Sequence, residues 1–173
     1  MQFLLRSDFP NVFITDEDGR DLYWVRSGAA DRVGLWSVRD LSGKELACVA
    51  QHGSGLLPGY GVYRAGRCVA TVREAPGRRA GRWLGAVRTL VSGVPGRLRY
   101  TVRGPDAPPL DVDGDATAVE YRFTRAGRQA ATVGLQWLDW AAALGTSVNV
   151  ADGEDPVLIL AVTAMIESAW GRL

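Results

Sequence analysis

In 173 residues the chain holds one histidine, one lysine, two cysteines and no apolar run of bilayer length. The histidine, His52, lies in "QHGSGLLPGY". Gly53-Ser54-Gly55 there lacks the strand–turn–helix setting of a nucleophile elbow, so the stretch reads as a polar connection between strands. Cys48 and Cys68 have neither metal-ligand spacing nor a disulfide-rich context, which marks reduced thiols in a cytoplasmic protein. The start, "MQFLLRSDFP", has three consecutive apolar residues and no cleavage site, so it does not read as a secretory leader. No phosphate-binding loop, dinucleotide fingerprint or zinc spacing occurs. The expectation is a protein without cofactor, metal or enzymatic activity. A formal charge of +1 argues against coating nucleic acid through bulk charge.

What is present is repetition. "YGVYRAGRCVATV" (60–72) returns as "YRFTRAGRQAATV" (121–133), identical at eight of thirteen positions. Alternation on either side of Gly66 and Gly127 predicts a β-hairpin in each copy, the glycine supplying the positive φ of a tight turn. "VFITDEDGRDLYWV" and "WSVRDLSGKELACV" keep the skeleton, turning at Gly19 and Gly43. Four hairpins give eight strands, and 86–91, 98–102, 110–113 and 146–150 are further candidates. The acidic stretches "DEDG" (16–19), "DVDGD" (111–115) and "DGED" (152–155) have the carboxylate density of calcium loops but lack the twelve-residue pattern. They read as turns, with Asp155 as a helix N-cap.

The end of the chain departs from the β pattern. Asp155 and Pro156 open a helix over about 155–169, and from Val157 to Ile166 only Thr163 is polar. A helix apolar on every side belongs inside a protein, and this one is shorter than the roughly twenty residues that span a bilayer. The hairpins are the available enclosure. The expected fold is therefore mainly β: one domain over 1–173, a closed antiparallel barrel of about twelve strands around an apolar C-terminal helix. Ala47, Ala70 and Ala131, if they face inward, leave room for it.

The order of these segments, from "ITDEDGRDLYWV" and "LSGKELACVAQ" through the two repeats, "WLDW" and "VADGEDPVLILAVTAMIES", resembles the LURP-one-related proteins of the tubby C-terminal-like superfamily, to which the phospholipid scramblases also belong. The resemblance implies a twelve-stranded barrel around a central helix. Tubby domains bind phosphoinositide head groups and scramblases are associated with lipid movement, while the LURP-one relatives have no settled role. No motif here matches the tubby lipid site, so no residue is carried over from it. Glu167 stands where family members often carry aspartate, and 78–96 follows no family pattern.

Between Arg73 and Arg103 eight arginines face one acid, Glu74, whereas 106–120 has five acids and no base. Arg78, Arg79, Arg82 and Arg88 are the candidate contacts to an anionic lipid head group, with Trp83 beside them at the interface. The alternative is a solvated loop in a chain that uses 19 arginines to one lysine. The expected partners are an anionic membrane surface, bound peripherally and without a transmembrane span, or a protein anchored on exposed members of Trp24, Trp36, Trp137, Trp140 and Trp170. Nucleic acid is not expected, since Trp83 alone is thin support for base stacking. Scrambling by extraction of the helix is a weaker reading, because it would empty the barrel.

Overall fold

Burial alternates along the chain with period two, and each alternating segment is a strand. The computed structural model describes residues 1–8, 11–27, 35–52, 59–74, 97–105, 107–115, 120–138 and 143–169. They form β1 (Gln2–Asp8), β2 (Asn11–Thr15), β3 (Asp21–Ser27), β4 (Leu35–Asp40), β5 (Glu45–His52), β6 (Gly59–Arg64), β7 (Arg67–Glu74), β8 (Arg97–Arg103), β9 (Leu110–Asp115), β10 (Glu120–Arg125), β11 (Arg128–Leu138), β12 (Ala143–Val150) and α1 (Pro156–Ala169). Each strand runs antiparallel to its chain neighbours, and β12 closes on β1. Closure pairs both sides of every strand and removes the exposed edges that would recruit other chains.

The expected architecture is present with one strand differently sourced. The candidate at 86–91 lies outside the described residues. The twelfth strand is β1, whose "FLL" reads in the sequence only as an apolar run too short for a leader. It is fixed by distant pairing, Gln2 opposite Asn149 and Phe3 opposite Val148.

The repeat is a bulged hairpin. In β2–β3, β4–β5, β6–β7 and β10–β11 the register breaks at the same point, after Ile14, Val38, Val62 and Phe123. One residue, respectively Leu22, Leu46, Val69 and Ala130, is inserted opposite each break. A bulge bends its strand and adds right-handed twist. Spaced around the ring, four such bends help curl the sheet into a barrel.

The same register leaves the lumen room for α1. Ala47, Ala70 and Ala131 are buried and paired with Val38, Val62 and Phe123. The helix packs nearest β4 and β5, while Tyr100, Tyr121 and Phe123 on β8 and β10 fill the far side. From Ile159 to Glu167 every helical residue is buried.

Two turn chemistries close the four hairpins. Asp16 and Asp40 each accept from backbone amides two and four residues on, Asp18 and Arg20 in one turn, Ser42 and Lys44 in the other. The Ser42 hydroxyl, followed by those two amides, holds the Asp40 carboxyl below its usual value. The two RAGR turns have positive φ at both central residues, 46° and 75° at Ala65-Gly66, 48° and 77° at Ala126-Gly127. Glycine adopts this conformation freely, but alanine there costs about 1 kcal/mol. Ala65→Asn and Ala126→Asn, which install the preferred Asn-Gly pair, should each stabilise the fold by up to about 1 kcal/mol, and the gains should add because the turns are separate. Urea denaturation of the single and double variants checks this; no gain in either single would show that the turns carry no strain.

Candidate functional site

A lumen filled by its own helix confines recognition to the rims and outer wall. At one rim the loop before α1 is clamped. Asp155 caps the helix by accepting from the Leu158 amide at 3.2 Å, and it receives Arg64 at 2.7 Å. Its neighbour Glu154 receives Arg125, whose Nε lies 3.2 and 3.1 Å from the two carboxylate oxygens. Arg64 and Arg125 are the same position in the two thirteen-residue copies. The shared RAGR therefore serves a shared task, holding two successive carboxylates of one loop from two sides of the barrel.

Deeper inside, Glu167 is buried and accepts from the Tyr121 hydroxyl at 2.8 Å. One helical turn before it the buried Thr163 hydroxyl has no hydrogen-bond partner among the described residues. The Tyr121–Glu167 bond ties α1 to the wall near its C-terminal end.

The remaining candidates fall on the outer wall. His52 meets the Tyr63 hydroxyl across the β5–β6 pair, over Gly61, where a Cβ would collide with the imidazole. Tyr63 lies in register between Cys48 and Cys68. Neither thiol is in a disulfide, and the two are two strand spacings apart, roughly 10 Å, beyond disulfide reach. Burial, then the thiols of Cys68 and Cys48, push the Tyr63 phenol above its ordinary value. Ser54 lies outside the described residues. Of the acidic stretches, the first forms a turn, the second is part of β9 and the third is the clamp. No cluster of three or more potential metal ligands occurs among the described residues.

Arg78, Arg79, Arg82 and Arg88, with Trp83, lie outside the described residues. The same arginine run is represented by Arg73 on β7 and Arg99 and Arg103 on β8, all exposed on the outer wall. Arg99 is paired with Asp113 on β9 at 2.9 Å. One strand further on, Arg122 of β10 lies in register with Asp113. Arg122 lies in the second repeat copy, where the first has Gly61, and outside the charge run, so sequence reasoning misses it; only the folded register brings it beside the others. Around it are two adjoining grooves of about 490 and 410 Å³ that share Asp113 and Arg122.

The tryptophans do not gather among the described residues. Trp36 is buried, 6.0 Å from Tyr60 between ring centroids. Trp24 donates to the Asp40 carbonyl and lies under Arg39. Trp137, 60% exposed, is accompanied on β11 by Leu135. Trp140 and Trp170 lie outside the described residues. No helix among those residues is long and apolar enough to cross a membrane.

The fold thus defines the class: a twelve-stranded antiparallel barrel closed around its own C-terminal helix. No family model matches the chain, and none of the curated proteins does. It is similar to an X-ray structure of a protein from Arabidopsis thaliana, with a TM-score of 0.44 and 12% identity over 99% of this chain and 91% of that one.

The clamp should be measurable in stability. Arg125→Ala removes a charged hydrogen bond at a mostly buried pair and should cost about 1.5–3 kcal/mol. Arg64→Ala should cost less, because a third or more of both partners is exposed. The Asp155 carboxyl feels burial, which raises its pKa, but the Arg64 hydrogen bond and charge and the Leu158 and Val157 amides outweigh this and hold it below the usual range. A carboxyl depressed in the folded state contributes fully above its unfolded value, near 4. That contribution is lost as pH falls through the folded value. Urea midpoints from pH 7 to 2 should fall in this acid window, and Asp155→Asn should flatten part of the fall. An unchanged pH profile in that variant would remove Asp155 from the account.

Proposed function

We propose that the protein is a non-enzymatic member of the LURP-one-related group of tubby C-terminal-like barrels, acting in the cytoplasm by peripheral binding to anionic phospholipid surfaces. The observation that carries this reading is the filled lumen. With Ile159 to Glu167 occupying the interior, a partner must be met from outside, and the exposed outer-wall charges include Arg73, Arg103 and Arg122. The reading assigns the membrane contact to Arg78, Arg79, Arg82 and Arg88, in the stretch of sequence between β7 and β8. The twelve strands and central helix agree with what the sequence resemblance implies, which supports the family part of the proposal.

The barrel acts as an intact body. Each apolar side chain of α1 moved from lumen to water would lose roughly 1.5–3 kcal/mol, and the Arg64 and Arg125 contacts hold the loop that leads into it. Lipid movement by helix extraction is correspondingly disfavoured. The second reading, a protein-interaction module, is favoured by Leu135 and Trp137, whose apolar surfaces are exposed together on β11.

Co-sedimentation with vesicles separates the two. The protein should pellet with vesicles rich in anionic lipid and not with neutral ones, and moderate salt should release it. The triple change of Arg78, Arg79 and Arg82 to Ala should weaken binding by about 1 kcal/mol per arginine. Absence of binding to anionic vesicles at low salt would sink the lipid reading and leave the protein module.

A further inference from the structure

The larger outer-wall groove carries two opposite charges that do not satisfy each other. Its floor is made of small residues, Thr132 and Gly134 on β11 and Ser147 on β12, with Asn149 at the far side. Its near wall is β10, where Glu120 and Arg122 are both exposed on the outward side, since Tyr121 between them points into the core. Two residues apart on a strand, their Cα atoms are separated by about 6.6 Å. Neither side chain has a hydrogen-bond or ion-pair partner among the described residues, whereas Asp113, the nearest acid in register with Arg122, is already held by Arg99.

Asp115 on β9, opposite Glu120, itself lies in register with Arg97 on β8, so the carboxylate at this end that is open to a cation is that of Glu120. At the other end the Arg122 fork is available to an oxyanion, with the Thr132 hydroxyl and Asn149 amide beside it as donors. An anion alone would gain from Arg122 but meet Glu120, and a cation alone would meet the reverse. A compact zwitterion gains at both ends.

We propose that this groove binds a zwitterionic phosphoryl-ammonium group of the ethanolamine type, with its phosphate on Arg122 and its ammonium on Glu120. The ammonium is two carbons from a phosphate oxygen, a reach matched to neighbouring same-face positions on one strand. A primary ammonium also donates hydrogen bonds to the carboxylate, which a trimethylated one does not, so the groove prefers ethanolamine to choline. The proposal rests on the lipid reading only for its biological source of ligand; the groove chemistry is the same for a soluble phosphodiester.

The test is an amide chemical-shift titration of the full chain with glycerophosphoethanolamine, beside glycerophosphocholine, inorganic phosphate and ethanolamine. Saturable shifts at Glu120, Arg122, Thr132 and Asn149 are expected with glycerophosphoethanolamine and weaker ones with the other three. Arg122→Gln and Glu120→Gln should each weaken it about tenfold, while Glu120→Gln should leave or improve binding of phosphate. Both residues are exposed, and unchanged unfolding midpoints would show that the variants fold. Equal binding of phosphate and glycerophosphoethanolamine, insensitivity to Glu120→Gln, or no saturable shift would each overturn the proposal. Vesicle binding that persists in both variants but depends on Arg78, Arg79 and Arg82 would leave the membrane reading standing without this groove.

Discussion

The structure depends on one mutual requirement, that a twelve-stranded barrel be filled and that an all-apolar helix be enclosed. Eight strands close on side chains alone, while a larger ring leaves space that must be occupied. Here α1 supplies the filling, with Ile159, Leu160, Val162, Met165 and Ile166 all withdrawn from solvent. The helix in turn has no polar face to offer water, so it is stable only within the ring. Neither part buries its apolar surface without the other, so ring and helix should unfold together.

Polar contacts then decide where the helix sits. At its start, two consecutive carboxylates of the preceding loop meet arginines from β6 and β10, strands well separated around the ring. Towards its end, the Tyr121 hydroxyl meets Glu167. Apolar packing resists removal of the helix but distinguishes poorly between small slides along the barrel axis. Directional bonds at both ends fix the axial position, and Asp155 adds the cap that defines the first turn. Both copies of the thirteen-residue repeat present a guanidinium to this loop.

Filling the lumen has a functional consequence. An ordinary barrel of this size places its binding site inside, where low dielectric and enclosure strengthen polar contacts. This one has its interior filled, and its outer wall carries Arg99, Asp113 and Arg122 as a charged row across three neighbouring strands. Contacts there are screened by water and salt, so specificity must come from the pattern of charges more than from the strength of any one of them.

Much of the fold was legible in the residues. The four hairpins follow from period-two alternation around turn glycines, the helix from Asp155, Pro156 and the apolar run, and the barrel from the need to enclose that run. These signals are local, carried by a few adjacent residues, and so they survive in one dimension. The strand β1 did not show itself because its partner β12 lies almost the whole chain away. Positive φ at Ala65 and Ala126 was likewise hidden, since alanine carries no signal for it and the turn geometry imposes it. The candidate site was less legible still: Arg78, Arg79, Arg82 and Arg88 were found as a run of charge, whereas Arg122 acquires its neighbours only through register. The sequence by itself determined the elements and the enclosure of the helix, because hydrophobic periodicity and turn chemistry act between near neighbours. Tertiary structure alone decided which arginines clamp the helix loop and which charges share the outer wall, because those pairings join residues far apart in the chain.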